Sequence, residues 1–249
     1  LHIARYLRKK TESENLCLAG GVALNCVSNG RLMHSGLFKS IYVQPAANDA
    51  GTAMGVAFHI WNQVLGNKRS FVLNHAYWGP EYSDQDILAA LKRKKVQNYR
   101  KVSDIAQEIA KRLSIGGNII GWFQGKLEWG PRALGNRSLL ADPRLSDMKM
   151  ILNERIKKRE HFRPFAPSVL QEEANSWFAM SKECTTISDE CMVINYDVKE
   201  HVREKIPAVT HRDGTSRIQL VSKKTNPLYH RLISNFYKKT GVPMVLNTS

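Results

Sequence analysis

Residues 128–143 read EWGPRALGNRSLLADP, and no other stretch of the chain restricts the fold so tightly. Apolar runs flank it, NIIGWF before and SLLA after, so the charged stretch is a turn between two buried strands. Gly130, Pro131 and Gly135 make that turn stiff and sharp. Glu128, Arg132 and Arg137 are therefore held on a rigid frame next to buried chain, where an unpaired guanidinium is costly. Both arginines need an anion. Glu128 can neutralise one, and a bound phosphate or carboxylate the other. Charge-assisted arginine contacts contribute about 1.5–3 kcal/mol each, enough to position a small anion.

The frame opens a basic region in which Arg144, Arg155, Lys157, Arg159 and Arg163 follow, most of them expected on the solvated surface. Ser146 is placed to cap a helix whose Met148, Ile151, Leu152 and Ile156 form the buried stripe. That spacing leaves Asn153 and Lys157 together on another face, where both reach one ligand. Further on, THRDGTSRIQ sets His211, Asp213 and Arg217 around a glycine turn, with no serine or cysteine nucleophile pattern beside them to suggest a triad. The closing residues Asn247, Thr248 and Ser249 put amide and hydroxyl groups at the tip of a strand, where a plain cap or a phosphate contact are both open. Lys and Arg total 37 against 22 Asp and Glu, a formal charge of +15. This excess favours nucleic acid, anionic lipid or a phosphorylated small molecule. The run KRKK at 92–95 lacks the interleaved aromatics of an RNA-binding pattern.

Ahead of the frame, residues 1–65 alternate short apolar runs with amphipathic stretches: LCLA, VALNCVSNGRLM, SIYVQP and AGTAMGVAFHIWNQVL. This is α/β patterning. Polar, irregular text from Gly66 to Pro80 places a domain boundary near residue 70, giving units 1–71 and 72–249. Two loops in the first unit have a shape suited to a nucleotide: Gly20 and Gly21 with Asn25 one turn inside a helix, and Asp49 ahead of a helix start with Gly51 and Gly55 nearby. Asp49 can ligate a metal or the magnesium of a nucleotide. Turn chemistry and N-capping explain the same residues without a ligand. In the second unit, Ser103 is placed to cap a helix over Ile105–Leu113, CMVINYDV and SRIQLV read as strands, and Asn226-Pro227 opens a helix that Gly241 closes before the strand MVL.

No apolar run reaches the roughly 18–20 residues of a membrane-spanning helix. Cys17, Cys26, Cys184 and Cys191 show neither metal spacing nor the density of a disulfide scaffold, so reduced thiols filling the core of a soluble, cytoplasmic protein are expected. The chain opens without Met in what reads as a helix already under way and stops on a strand, which suggests a piece of a longer protein.

The stretches GGVALN (20–25), NDAGTAMG (48–55), GPRALGNRS (130–138), NERIKKREHFRPFAPS (153–168), PAVTHRDGTSRIQ (207–219) and VLNTS (245–249) together resemble the O-carbamoyltransferases of the nodulation-factor and antibiotic-tailoring type. That resemblance implies an α/β tail of an actin-like ATPase lobe over residues 1–71 and an α+β, YrdC-like domain over 72–249. It implies activation of carbamoyl phosphate with ATP and magnesium to carbamoyl-adenylate, then transfer to a hydroxyl of a small-molecule acceptor, with iron(II) in the actin-like site. By matching positions, Arg132, Lys157, Arg217 and Ser249 would hold carbamoyl phosphate or the adenylate. Gly20, Gly21, Asn25, Gly51, Arg137 and Asn153 would serve the nucleotide, and Asp49 would ligate iron. The family's His-x-x-x-His iron ligands have no match in this chain. A homodimer is left open. Two alternatives stand beside this reading: the hydrogenase-maturation carbamoyltransferases, whose Cys-pair zinc motifs are absent here, and a basic nucleic-acid-binding module.

Overall fold

The computed structural model describes residues 1–180 and 186–249, so Cys184 lies outside the described residues. Helix α1 (His2–Thr11) leads into β1 (Asn15–Leu18), which pairs in parallel with β2 (Ser40–Val43). Parallel neighbours need a crossover, supplied here by a 3-10 turn (Gly21–Leu24) and α2 (Cys26–His34). Asn25 caps α2, its Oδ1 accepting the Ser28 N–H at 3.1 Å. Helix α3 (Thr52–His59) follows a 3-10 turn at Asp49–Gly51 and runs into a π turn at Ile60–Val64. Residues 66–83 then form neither helix nor strand.

The second half is built on a five-stranded sheet containing β3 (Ile119–Phe123), β4 (Arg137–Ala141), β5 (Ala166–Leu170), β8 (Gln219–Val221) and β9 (Met244–Thr248), in the order β3-β4-β9-β5-β8. Only β5 and β8 are parallel; the other pairs are antiparallel. Helices α4 (Asp84–Arg93) and α5 (Ile105–Ser114) precede the sheet, and α8 (Pro227–Thr240) packs on α5, β5 and β9. Between β4 and β5 lie the short α6 (Met148–Ile151) and its π continuation, Leu152–Lys157. After β5 come α7 (Ala174–Trp177) and a small antiparallel pair, β6 (Tyr196–Asp197) with β7 (Thr215–Ser216). The architecture is mixed α/β. Leu113, Leu140, Met148, Leu152, Tyr229, Leu232 and Phe236 are fully buried in a core that also takes in Ile41 and Val43 of the first sheet. Asn29 donates to the Val193 carbonyl (2.8 Å) and Ser188 bonds the backbone of Val43 (2.8 and 3.2 Å), tying α2 and β2 to the segment that precedes β6.

The Asn226-Pro227 start of α8 and its Gly241 stop stand where the sequence puts them. Other local expectations change. Asp104, not Ser103, caps α5, because its carboxylate is one residue closer and accepts the Gln107 N–H at 3.1 Å. Ser146 caps nothing; Asp147 occupies the N-cap of α6 without a side-chain bond. Ile156 is exposed rather than part of the buried stripe, since the π winding adds residues to the turn and rotates it outward. CMVINYDV and SRIQLV contribute only β6, β7 and β8, short pieces of the predicted strands. Among the cysteines, Cys191 is buried as expected but Cys17 is exposed at the surface of β1.

Candidate functional site

The turn between β3 and β4 is held from within. Glu128 is buried, and its Oε1 accepts the backbone N–H groups of Leu134 (2.7 Å), Asn136 (2.8 Å) and Arg137 (3.0 Å). Contrary to the sequence expectation, the carboxylate does not pair with an arginine; it organises the chain that carries one. Carbonyls of the same turn are tied down too. Tyr77 Oη and Gln219 Nε2 donate to Leu134 O at 2.9 and 2.7 Å, and Asn247 Nδ2 donates to Ala133 O at 3.0 Å. Gln219 and Asn247 are linked to Ser168 and to each other across β8, β5 and β9. Buried networks of this kind rigidify when satisfied.

Rigid turn and sheet edge together shape a small pocket of about 80 Å³ lined by Arg132, Arg159, Phe165, Arg217, Asn247 and Ser249, with Pro131, Ala133, Pro164, Ala166, Met192 and Thr248. Three guanidinium groups share it, and among the described residues none of the three forms an ion pair. Burial pushes the Arg132 guanidinium down to about 10, and the Arg217 charge adds to this. Arg217 is lowered by its own burial, and Arg159 by burial and then by the charges of Arg163 and Arg217. The Nε atoms of Arg132 and Arg217 are buried without a hydrogen-bond partner. Clustered cations that repel one another and lack a carboxylate partner are suited to hold an anion.

Arg159 was not singled out from sequence, where nothing separates it from Arg155 or Lys158. Its place follows from the π turn: Lys158 adopts a left-handed conformation (φ 48°), and the chain doubles back so that Arg159 donates its N–H to Asn153 O at 3.1 Å. Fully buried Asn153 then accepts from Arg159 Nε at 2.7 Å through Oδ1 and donates to the carbonyls of His161 and Arg163. The Arg159 guanidinium stacks 4.9 Å from the Phe165 ring. His211 Nε2 lies 3.3 Å from Phe165 O and braces this wall, its imidazole held below the usual range by burial.

Arg132, Arg217 and Ser249 thus line one pocket. Lys157 and Asn153 do not share a ligand-facing surface: Asn153 is turned inward onto Arg159, and Lys157 stands outside the lining near Arg159, its ammonium lowered by burial and that neighbouring charge. Arg137 points to solvent and contributes only its backbone N–H to the Glu128 clamp, so it needs no anion.

Gly20, Gly21, Asn25, Asp49 and Gly51 lie outside the pocket but beside it. Gly20 N–H donates to Ala47 O at 2.7 Å, which seats the first glycine loop on the second. A side chain at Gly51 would meet Ala46 O at 2.1 Å, and one at Gly130 would meet Pro45 O at 2.9 Å, so close loop packing accounts for both glycines. Arg132 Nη2 reaches Leu24 O at 3.4 Å, and Arg217 abuts Cys26. Asp49 is exposed, and among the described residues no group of three or more His, Cys, Asp or Glu side chains could hold a metal. One carboxylate can join the magnesium of a bound nucleotide, but it does not make an iron site, so the residues of this chain do not fit iron(II) by themselves.

Comparison with known proteins completes the description of this region. Residues 110–249 match the family described as carbamoyltransferase C-terminus and residues 1–58 that described as carbamoyltransferase N-terminus. The chain is 43% identical to the nodulation protein NolO of Bradyrhizobium diazoefficiens, over 100% of this chain and 45% of that protein. It is 42% identical to an uncharacterized protein of Synechocystis, over 95% of this chain and 42% of that one. A third relative, from Methanocaldococcus jannaschii and also uncharacterized, is 39% identical over 97% of this chain and 39% of its own length. The chain therefore spans less than half the length of these relatives.

Proposed function

This chain belongs to the carbamoyltransferase family, and on that premise we propose that its three-arginine pocket binds carbamoyl phosphate for transfer of the carbamoyl group to a hydroxyl of a small-molecule acceptor. The supporting observation is the convergence of Arg132, Arg159 and Arg217, without a carboxylate partner, on a space of about 80 Å³. A dianionic phosphate supplies the missing acceptors, and Ser249 can add a hydroxyl donor. In this reading water releases phosphate from carbamoyl phosphate, and the carbamate oxygen so freed attacks the α-phosphorus of ATP, expelling pyrophosphate and leaving carbamoyl-adenylate. Bringing two polyanions together is opposed by their repulsion, and fixed guanidinium groups offset it without reorganising. Residues 72–249 would form a YrdC-like unit that performs this step. Residues 1–71 would belong to an actin-like unit whose abutting loops at Gly20–Asn25 and Asn48–Gly51 take the nucleotide, with Asp49 beside its magnesium. Arg132, which touches both the pocket and Leu24 of the first loop, would couple the two.

Pyrophosphate release from ATP in the presence of carbamoyl phosphate tests the proposal. Losing one charge-assisted contact of about 1.5–3 kcal/mol should lower the rate about 10- to 100-fold in Arg132→Ala and in Arg217→Ala. Release that is undiminished in both variants would overturn the assignment.

A further inference from the structure

Most polar side-chain groups lining the pocket are donors, and the hydroxyls of Thr248 and Ser249 both donate and accept. Arg132, Arg159 and Arg217 offer only N–H groups and Ser249 a hydroxyl. Donors alone would accept phosphate, sulfate or any acyl phosphate with little distinction. The amide among them is Asn247, which lines the pocket from β9 and is 2% exposed. Its orientation is determined by its surroundings. The amide nitrogen sits 3.0 Å from Ala133 O, 2.9 Å from Ser168 Oγ and 3.1 Å from Gln219 Oε1. Turning the amide over would set its oxygen against two carbonyl oxygens, so the nitrogen must face the network. Oδ1 is then the free end, buried and without any partner in the protein. An oxygen of a bound anion placed there would be repelled; an N–H would be welcomed.

We propose that Asn247 is a specificity-determining residue whose Oδ1 accepts a hydrogen bond from the carbamoyl NH₂, so that the arginines grip the phosphate while Asn247 reads the amino group that other acyl phosphates lack. The assignment rests on the carbamoyl phosphate reading above. It gives the buried acceptor a partner on binding, as such groups require, and it accounts for an amide, rather than a fourth cation, beside three arginines.

Acetyl phosphate is the discriminating probe, because it keeps the phosphate and carbonyl and replaces NH₂ by CH₃. Calorimetric titration of the protein should show carbamoyl phosphate binding about tenfold more tightly than acetyl phosphate, with inorganic phosphate as the reference anion. In Asn247→Leu, which lacks both the acceptor and the donors to Ala133, Ser168 and Gln219, that preference should collapse to about onefold, the ratio of the two acyl phosphates being the readout because the lost donors can weaken every anion. Asn247→Asp keeps an acceptor toward the pocket, so it should retain the preference even though its charge weakens every anion. Equal affinity of the unmodified protein for the two acyl phosphates would overturn the role of Asn247 yet leave the anion pocket standing. A uniform loss for all three anions in Asn247→Leu would likewise reduce Asn247 to a structural support. Failure of the unmodified protein to bind any of the three would overturn the pocket itself, and this inference with it.

Discussion

A carboxylate surrounded by backbone N–H groups has a different task from one facing arginines, and Glu128 has the first. One oxygen takes three N–H groups of the turn that carries Arg132. Removing it leaves buried donors unpaired, each costing about 1–3 kcal/mol. Glu128→Ala is accordingly expected to lower the unfolding free energy in urea by about 3 kcal/mol or more. Glu128→Gln, which retains an accepting oxygen, should lose less than half as much; equal losses would refute the clamp. Sequence marked Glu128 as exceptional but misread its partner, because charge pairing is visible in composition whereas backbone donors are not. Arg132 was legible for the opposite reason, since a guanidinium in stiff, apolar surroundings demands an anion, whereas the same argument failed for exposed Arg137 and Arg217 was marked only by the family resemblance. Arg159 was not legible, since its neighbours in the basic run carry the same charge and only the geometry of the chain separates them.

At the level of elements, the turn and helix α8 constrain each other. Gly135 has φ 97°, and a Cβ there would lie 2.2 Å from Cδ1 of fully buried Tyr229. Gly135→Ala must therefore strain the backbone and displace an aromatic ring, for an expected loss of about 3 kcal/mol. Gly21, which has open space around it, should tolerate Ala within about 0.5 kcal/mol. Urea midpoints of the two variants, compared at unchanged slope, check this. The strands flanking the turn and the limits of α8 follow directly from apolar runs, an Asn-Pro start and a Gly stop, all of them local signals. The π continuation of α6 does not. It depends on Asn153 being drawn inward to the carbonyls of His161 and Arg163, contacts that close across a turn the periodicity cannot register.

For the molecule as a whole, the repulsion stored in the pocket links anion binding to stability. The +15 formal charge is spread widely, with Lys92, Arg93, Lys94 and Lys95 all exposed, but the pocket concentrates three half-buried cations in one place. Phosphate at about 100 times its dissociation constant should add about 2.7 kcal/mol, a rise in Tm of about 5–10 °C for a chain of this size. The Arg132 guanidinium is depressed to about 10, so without an anion its burial penalty is present below that pH and relieved above it, where the unfolded chain retains the proton longer. With phosphate the sign reverses: affinity should hold between pH 7 and 9 and fall as pH rises through about 10. A phosphate-induced shift in Tm that is unchanged at pH 11 would contradict a depressed Arg132 whose charge the anion requires. Taken alone, the sequence determined the mixed α/β class, the position of the rigid turn, the need of Arg132 for an anion, and the family, because these depend on residue chemistry and on patterns within a few turns of chain. Tertiary structure alone decided that Arg159 joins Arg132 and Arg217, that Lys157, Arg137 and Asn153 do not, and that Asn247, with its unpartnered buried amide oxygen, lines the same space. Those outcomes depend on which distant strands become neighbours, and neighbours across a sheet share no signature along the chain.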